Sequence, residues 1–392
     1  MRTVGVIAEY DPFHLGHAYH LQQARQRTQA DWVLCVMSGC FTQRGQGALL
    51  SPAQRARMAL ESGADVVLEL PVPWAVREAE HFALGGISIL HRLGCITHVA
   101  FGAETDDLPA LSRCAALLEQ PSPSLDAAVR ERLAQGVSHP AALGGALEAL
   151  FPGLGLSKPN NVLGLCYLRA LLRLHSSIQP VLVPRAGDYH ATDWSGGFPS
   201  ATAVRGAISR GDWLRVSQAL PQRSYALLRA AVQRGELFHP QVLDPVLLHL
   251  LRTTGPEALR QLPGCTEGME NRLISAARTA TSRRELLTAA KTRRYPYARL
   301  SRLCAHLLLG LRAQEVRPGL LPPYARLLGF RREARPLLRS IKASGFPLLE
   351  KAADAPRDNV IFQSDMRAYD LWCLGAGLRP GLGYRQGVVL VD

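Results

Sequence analysis

An apolar run, Val4-Gly5-Val6-Ile7-Ala8, passes directly into Tyr10-Asp11-Pro12-Phe13-His14-Leu15-Gly16-His17 and then into a helix-forming stretch, 18–27. That junction constrains the fold more than any other part of the chain. A strand that ends in a turn and enters a helix brings the unpaired N–H groups of the first helical turn to the strand's carboxyl end. His14 and His17 lie three residues apart, so both imidazoles point to one side of that turn. Gly16 lets backbone approach a ligand closely because it has no Cβ, and Pro12 fixes φ ahead of the turn. Imidazoles and N–H donors on one side form a cradle for a triphosphate. The chemistry this serves is attack on an α-phosphorus with loss of pyrophosphate, the imidazoles stabilising charge in the transition state. A His-x-x-His pair can also be half of a metal site or two surface histidines. Only the strand–turn–helix context separates these readings.

That context continues for about two hundred residues. Apolar runs at Thr3–Ala8, Trp32–Met37, Val66–Glu69, Thr97–Phe101 and Gln179–Val183 read as strands. Between them, Gly16–Arg27, Pro52–Ser62, Ala79–Leu93, Leu108–Leu118, Leu125–Ala134 and Asn161–Leu174 have helical spacing. Strands separated by helices need crossover connections, which predicts an α/β fold with a doubly wound parallel sheet. Ligands bind such sheets beyond the carboxyl ends of the strands, at the switch point, where the His14/His17 turn falls. Past residue 210 the strand signal fades into Leu-, Ala- and Arg-rich segments with helical spacing, Pro323–Leu328 among them. The predicted organisation is a nucleotide-binding catalytic domain over 1–210 and a basic helical domain over 211–392, with no internal repeat.

The charge balance is +13, which points to a polyanionic partner, nucleic acid first. Nine basic residues (Arg272, Arg278, Arg283, Arg284, Lys291, Arg293, Arg294, Arg299, Arg302) stand against Glu285 alone between Asn271 and Arg302, with Tyr295 and Tyr297 among them. A solvated helix face is usually mixed in sign. This run suits contacts to an RNA backbone with aromatic stacking. The eight cysteines are scattered without a Cys-x-x-Cys pair, which predicts reduced, buried thiols rather than a disulfide framework or zinc site. No secretory leader and no long uncharged apolar run are visible, so a cytoplasmic protein without a membrane span is expected.

Further motifs fall at predicted strand ends. Met37-Ser38-Gly39-Cys40-Phe41-Thr42-Gln43-Arg44-Gly45 follows the second strand, where Ser38, Gly39, Gln43 and Arg44 would border the reacting centre and Arg44 could hold a carboxylate or phosphate. Gly102, after the fourth strand, would let backbone lie against an adenine or ribose. Asn161 either bonds a nucleotide or caps the helix it opens. Ser200, Thr202 and Arg205 place two hydroxyls and a guanidinium at one helix start, a further phosphate cradle.

Taken together in this order, the motifs resemble the HIGH-type nucleotidyltransferases, and within them the bacterial tRNA(Met) cytidine acetate ligases. The residues that carry the likeness are Tyr10 to His17, Met37-Ser38-Gly39, Gln43-Arg44-Gly45, Leu68-Glu69-Leu70-Pro71, Ala79-Glu80-His81-Phe82-Ala83, Phe101-Gly102, Asn160-Asn161-x-Leu163-Gly164, Ser200-Ala201-Thr202 to Arg205, and Lys291-Thr292-Arg293-Arg294-Tyr295. The resemblance implies an ATP-dependent ligase that forms acetyl-adenylate and acetylates N4 of the wobble cytidine of elongator tRNA(Met). It implies ATP contacts at Ile7, Ala8, Glu9, Tyr10, Asp11, Pro12, Phe13, His14, Gly16, His17, His20, Gly102, Asn161 and Arg185. Catalysis is then expected from His14, His17 and Arg205, with Ser200 and Thr202 on the phosphates and Mg²⁺ bridging them. Acid and RNA would be met by Ser38, Gly39, Gln43, Arg44, Lys291, Arg293, Arg294 and Tyr295. The sequence departs from the family pattern at Cys40, where Asn is usual, and at Ser51-Pro52, where Asp-Lys is common. Competing readings are a small-molecule adenylyltransferase and an RNA-binding protein that keeps a nucleotide pocket without catalysis.

Overall fold

The computed structural model describes residues 1–120, 122–137, 139–184, 198–317, 319–356 and 358–392, with 139–141 described by backbone alone. Eight strands, β1 (Thr3–Ala8), β2 (Trp32–Ser38), β3 (Val66–Leu70), β4 (His98–Ala103), β5 (Gln179–Pro184), β6 (Ala325–Arg331), β7 (Leu348–Leu349) and β8 (Val389–Val391), form one sheet. Its order is β5-β4-β1-β2-β3-β6-β7, with β8 also on β6. The first five strands are parallel, and β6 runs antiparallel to β3. From β1 the chain winds outward through β2 and β3, then returns to add β4 and β5 on the other side. The switch point therefore lies beside β1.

Strand residues face alternate sides, and the two apolar faces bury separate cores. Leu34, Val36, Val66 and Leu68 join one cluster, covered by the helices Ala79–Arg92 and Pro159–Arg173. Val4, Val6, Val33, Cys35 and Met37 join the other, covered by the helices Leu15–Thr28 and Pro52–Leu60. A third cluster, from Leu247 to Cys304, belongs to a separate set of helices that includes Met269–Ala277, Arg283–Ala290 and Tyr297–Leu309.

The segment predicted as a helix over Pro323–Leu328 is instead the start of β6. The carboxyl-terminal half is thus helical over 211–309, but its last part returns to the sheet. Its attachment is polar as well as apolar. Tyr369, on the helix Val360–Gly375, donates to Glu69 Oε2 at 3.0 Å, and Asp365 on the same helix accepts from Val72 N–H at 2.7 Å and from the Tyr324 hydroxyl. Burial and the neighbouring Glu69 push the Asp365 carboxyl up to about 8. All eight cysteines are free thiols, and seven are buried. Among the described residues no helix is long and apolar enough to cross a membrane.

Candidate active site

β1 ends at Ala8, and Glu9 to His14 cross the carboxyl edge of the sheet before the helix Leu15–Thr28 begins. Tyr10 takes a left-handed conformation (φ 51°), uncommon for a bulky residue, and Asp11–Pro12 is cis. The buried Tyr10 and Phe13 rings form the bed of the turn, 4.9 and 5.5 Å from the His17 ring. His14 caps the helix: its Nδ1 accepts from Gly16 N–H at 3.1 Å, while His17 Nδ1 accepts from His14 N–H at 3.2 Å. A neutral imidazole that accepts at Nδ1 carries its proton on Nε2. The two rings stack with centroids 3.7 Å apart and planes 24° apart. A Cβ on Gly16 would lie 3.0 Å from the His14 ring and 3.1 Å from Phe198, tighter than side chains normally pack.

These rings line a cavity of about 320 Å³. Ile7, Ala8, Glu9, Tyr10, Asp11, His14, Gly16, His17, His20, Gln43, Arg44, Gly102, Ser200, Thr202 and Arg205 all border it. Arg205 bridges its two halves, donating to the Asp11 backbone carbonyl, to Asp11 Oδ2 at 3.2 Å and to Thr202 Oγ1 at 3.2 Å. Ser200 Oγ accepts from Ala203 N–H at 3.2 Å as the cap of the helix Ala201–Ser209. Two helix starts thus converge on one cleft, with the Arg205 guanidinium, paired to Asp11, between them.

Glu9 accepts from Gln43 N–H at 2.5 Å, and Asp11 Oδ1 accepts from Leu49 N–H at 2.7 Å, tying the His turn to the loop after β2. Enclosure raises the Glu9 carboxyl above its usual range. The Gln43 N–H opposes this, Asp11 adds to it, and Arg205 and Arg44 work against it. Arg55 underlies both loops. Its fully buried guanidinium donates to the carbonyls of Glu9 (2.5 Å), Ser38 (3.1 Å), Leu50 (3.2 Å) and Gly39. Nothing in the sequence pattern singled out Arg55.

Several predicted residues lie elsewhere. Pro12 and Phe13 support the turn from outside the cavity wall. Asn161 also stands behind the wall: its Oδ1 accepts from Glu104 N–H (2.7 Å) and Thr105 N–H (3.1 Å), and its Nδ2 donates to the carbonyls of Leu154 and Gly155 (2.9 and 3.1 Å). All four of its bonding positions serve the 104–105 and 154–155 turns. Its neighbour Asn160 borders the cavity instead. Ser38 and Gly39 lie beneath the loop, where a Cβ on Gly39 would meet Glu69 Oε1 at 2.1 Å. Arg185 falls outside the described residues.

The basic run divides in two. Arg272 donates to the Ala289 and Ala290 carbonyls at the end of the helix Arg283–Ala290, and Arg294 and Arg299 pair with Glu267. Arg278, Arg284, Lys291 and Arg293 are exposed. Tyr295 donates to the Glu267 carbonyl and borders a second hollow with Asn271 and Arg272. This unit docks directly on the cleft wall. Arg283 donates to Gly45 O at 2.7 Å, and Ser301 Oγ donates to Arg44 O at 2.5 Å. Gly45 (φ 70°) is required there, since a Cβ would lie 2.8 Å from Arg302 Cα. Among the described residues no group of three or more His, Cys, Asp or Glu side chains could hold a metal by itself.

A parallel sheet with this paired-histidine turn at its switch point defines a nucleotidyl transferase. Residues 1–378 match the family described as HIGH Nucleotidyl Transferase. The chain belongs to this family, and within it to the tRNA(Met) cytidine acetate ligases. Relatives of that name include those of Acetivibrio thermocellus, 37% identical over 373 residues (90% of this chain and 89% of the relative), and of Geobacillus sp., 36% identical over 375 residues (94% and 93%). Among solved structures, Thermotoga maritima TmcAL bound with alpha-thio ATP matches with a TM-score of 0.91 at 29% identity, covering 100% of both chains. The apo form of TmcAL matches with a TM-score of 0.90 at 30% identity, again over 100% of each.

Proposed function

We propose that the chain is an ATP-dependent ligase that activates acetate as acetyl-adenylate and acetylates N4 of the wobble cytidine of elongator tRNA(Met). The observation that carries this reading is the docking of the basic helices on the turn bearing Gln43 and Arg44, which is also a wall of the phosphate cleft. A small-molecule adenylyltransferase has no use for that arrangement.

In this mechanism ATP lies with its α-phosphate at the Nε2–H groups of His14 and His17, which donate to the oxygens that gain charge at the pentacovalent phosphorus. Arg205, Ser200 and Thr202 take the β- and γ-phosphates. A Mg²⁺ ion would neutralise phosphate charge, and since no cluster of His, Cys, Asp or Glu among the described residues could hold it, it would rest mainly on the triphosphate itself. An acetate oxygen attacks the α-phosphorus and pyrophosphate leaves. Acetate is already ionised, so no general base is needed. The cytidine amine then attacks the acetyl carbonyl, AMP departs, and the amine loses a proton. The exposed Lys291, Arg293 and Arg284 hold RNA phosphates so that the splayed base reaches the cleft.

The test is to incubate the protein with ATP, Mg²⁺, labelled acetate and unmodified elongator tRNA(Met), digest the RNA and look for N4-acetylcytidine by mass spectrometry. Product is expected, falling by about a hundredfold or more in His17→Ala. A wild-type protein that binds ATP but forms no product overturns the reading.

A further inference from the structure

Beyond the histidines the cavity continues between two helices, and that end has a different chemistry. Phe82 reaches it from the helix Ala79–Arg92, Leu163 and Tyr167 from one face of the helix Pro159–Arg173, and Phe101 from β4. Phe82 and Tyr167 are each 2% exposed. The Phe101 and Tyr167 rings lie 5.6 Å apart. The walls are seated tightly: a Cβ on Gly164 would lie 2.7 Å from Phe101, and one on Gly86 would lie 2.5 Å from Ile7. The compartment is therefore small, with little room to widen.

Within this apolar lining the Tyr167 hydroxyl is buried and has no hydrogen-bond partner among the described residues. Buried hydroxyls are nearly always partnered, because burial without a bond is costly. Burial and the nearby Glu9 carboxylate also push the phenol further above its usual range, so it remains a donor. An unpartnered donor set among apolar side chains matches a small group with one polar end and one apolar end.

We propose that this compartment is the acid-binding end of the cleft, Tyr167 Oη donating to the carboxylate of a short-chain acid while Phe82, Phe101 and Leu163 enclose its methyl group. The proposal rests on the ligase reading and specifies which groups choose the acid. The reacting oxygen is the one Tyr167 does not hold: it bonds to the α-phosphorus, and the phosphorus–oxygen bond to pyrophosphate breaks with its electron pair.

The experiment uses acetate-dependent exchange of labelled pyrophosphate into ATP, which needs no RNA, beside N4-acetylcytidine formation. Tyr167→Phe keeps the ring, and is expected to raise the acetate KM by about tenfold with alpha-thio ATP binding unchanged. Leu163→Ala is expected to shift the propionate-to-acetate preference by about tenfold toward propionate, a ratio that loss of folded protein alone does not move. Exchange in the wild type without acetylcytidine leaves the acid site standing and removes the ligase reading. Absence of exchange with any short-chain acid, an unchanged acetate KM in Tyr167→Phe, or a raised KM for tRNA alone overturns the proposal.

Discussion

Arg55 and Arg57 are two positions apart on one helix, yet Arg55 is fully buried and Arg57 is exposed. The difference is helical phase, which sequence spacing describes only once the neighbouring loops are known. Arg55 alone reaches Glu9, Ser38, Gly39 and Leu50, and its planar fork serves carbonyls that a single ammonium cannot. Arg55→Lys is therefore expected to lower stability by about 3 kcal/mol in urea unfolding and to weaken binding of an ATP analogue by more than tenfold. Unchanged binding would mean that the loops hold their positions without it. The same limit explains Asn160 and Asn161. Sequence could place both at a helix start but not say which side chain turned to the cleft. His14 and His17 were legible because strand, turn and helix are contiguous there. Tyr167 was not, since its surroundings come from β4 and the helix Ala79–Arg92, distant in the chain.

The strands β1 to β5 and most helices between them could be read from apolar runs, because each unit is local; the helices Val72–Ala75 and His139–Leu150 could not. β6 could not. Ala325-Arg326-Leu327-Leu328-Gly329-Phe330-Arg331 shares its Leu and Arg with the helices around it, and only pairing with the remote β3, and with β7 and β8, makes it extended. Another element-scale contact joins the helix Tyr297–Leu309 to the segment after β3. His306 places Nε2 2.6 Å from Val76 O and Nδ1 3.0 Å from Pro263 O; burial pushes its imidazole down to about 4, outweighing the two carbonyls, which favour the protonated ring. The unfolded chain takes up this proton near pH 6.5, the folded one only near 4. Its contribution is therefore whole above 6.5 and is lost as the pH falls toward 4. Between pH 7 and 5 the wild type is expected to lose about 2 kcal/mol more unfolding free energy than His306→Gln. Urea titrations of both proteins at the two pH values check this, and parallel slopes would exclude His306 as the cause.

For the whole molecule, the charge of +13 is unevenly spent. Arg272 and Arg299 serve the helices' own packing and Arg283 seats them on Gly45, while Arg284, Lys291 and Arg293 remain on the surface. The tRNA affinity is expected to fall linearly with salt on logarithmic axes. A Lys291→Ala/Arg293→Ala protein should lose a slope of about 1 to 2 without any change in alpha-thio ATP binding. An unaltered slope would place the RNA on another face.

The antiparallel strand β6 also sets an order of events in making the protein. Roughly 250 residues separate β3 from β6, so at about 5–20 residues per second β3 leaves the ribosome tens of seconds before its partner exists. Through that interval an apolar strand edge stands open, the kind of edge that pairs with other chains. The histidine turn is made well before β6, yet the sheet beneath it cannot close until that strand exists.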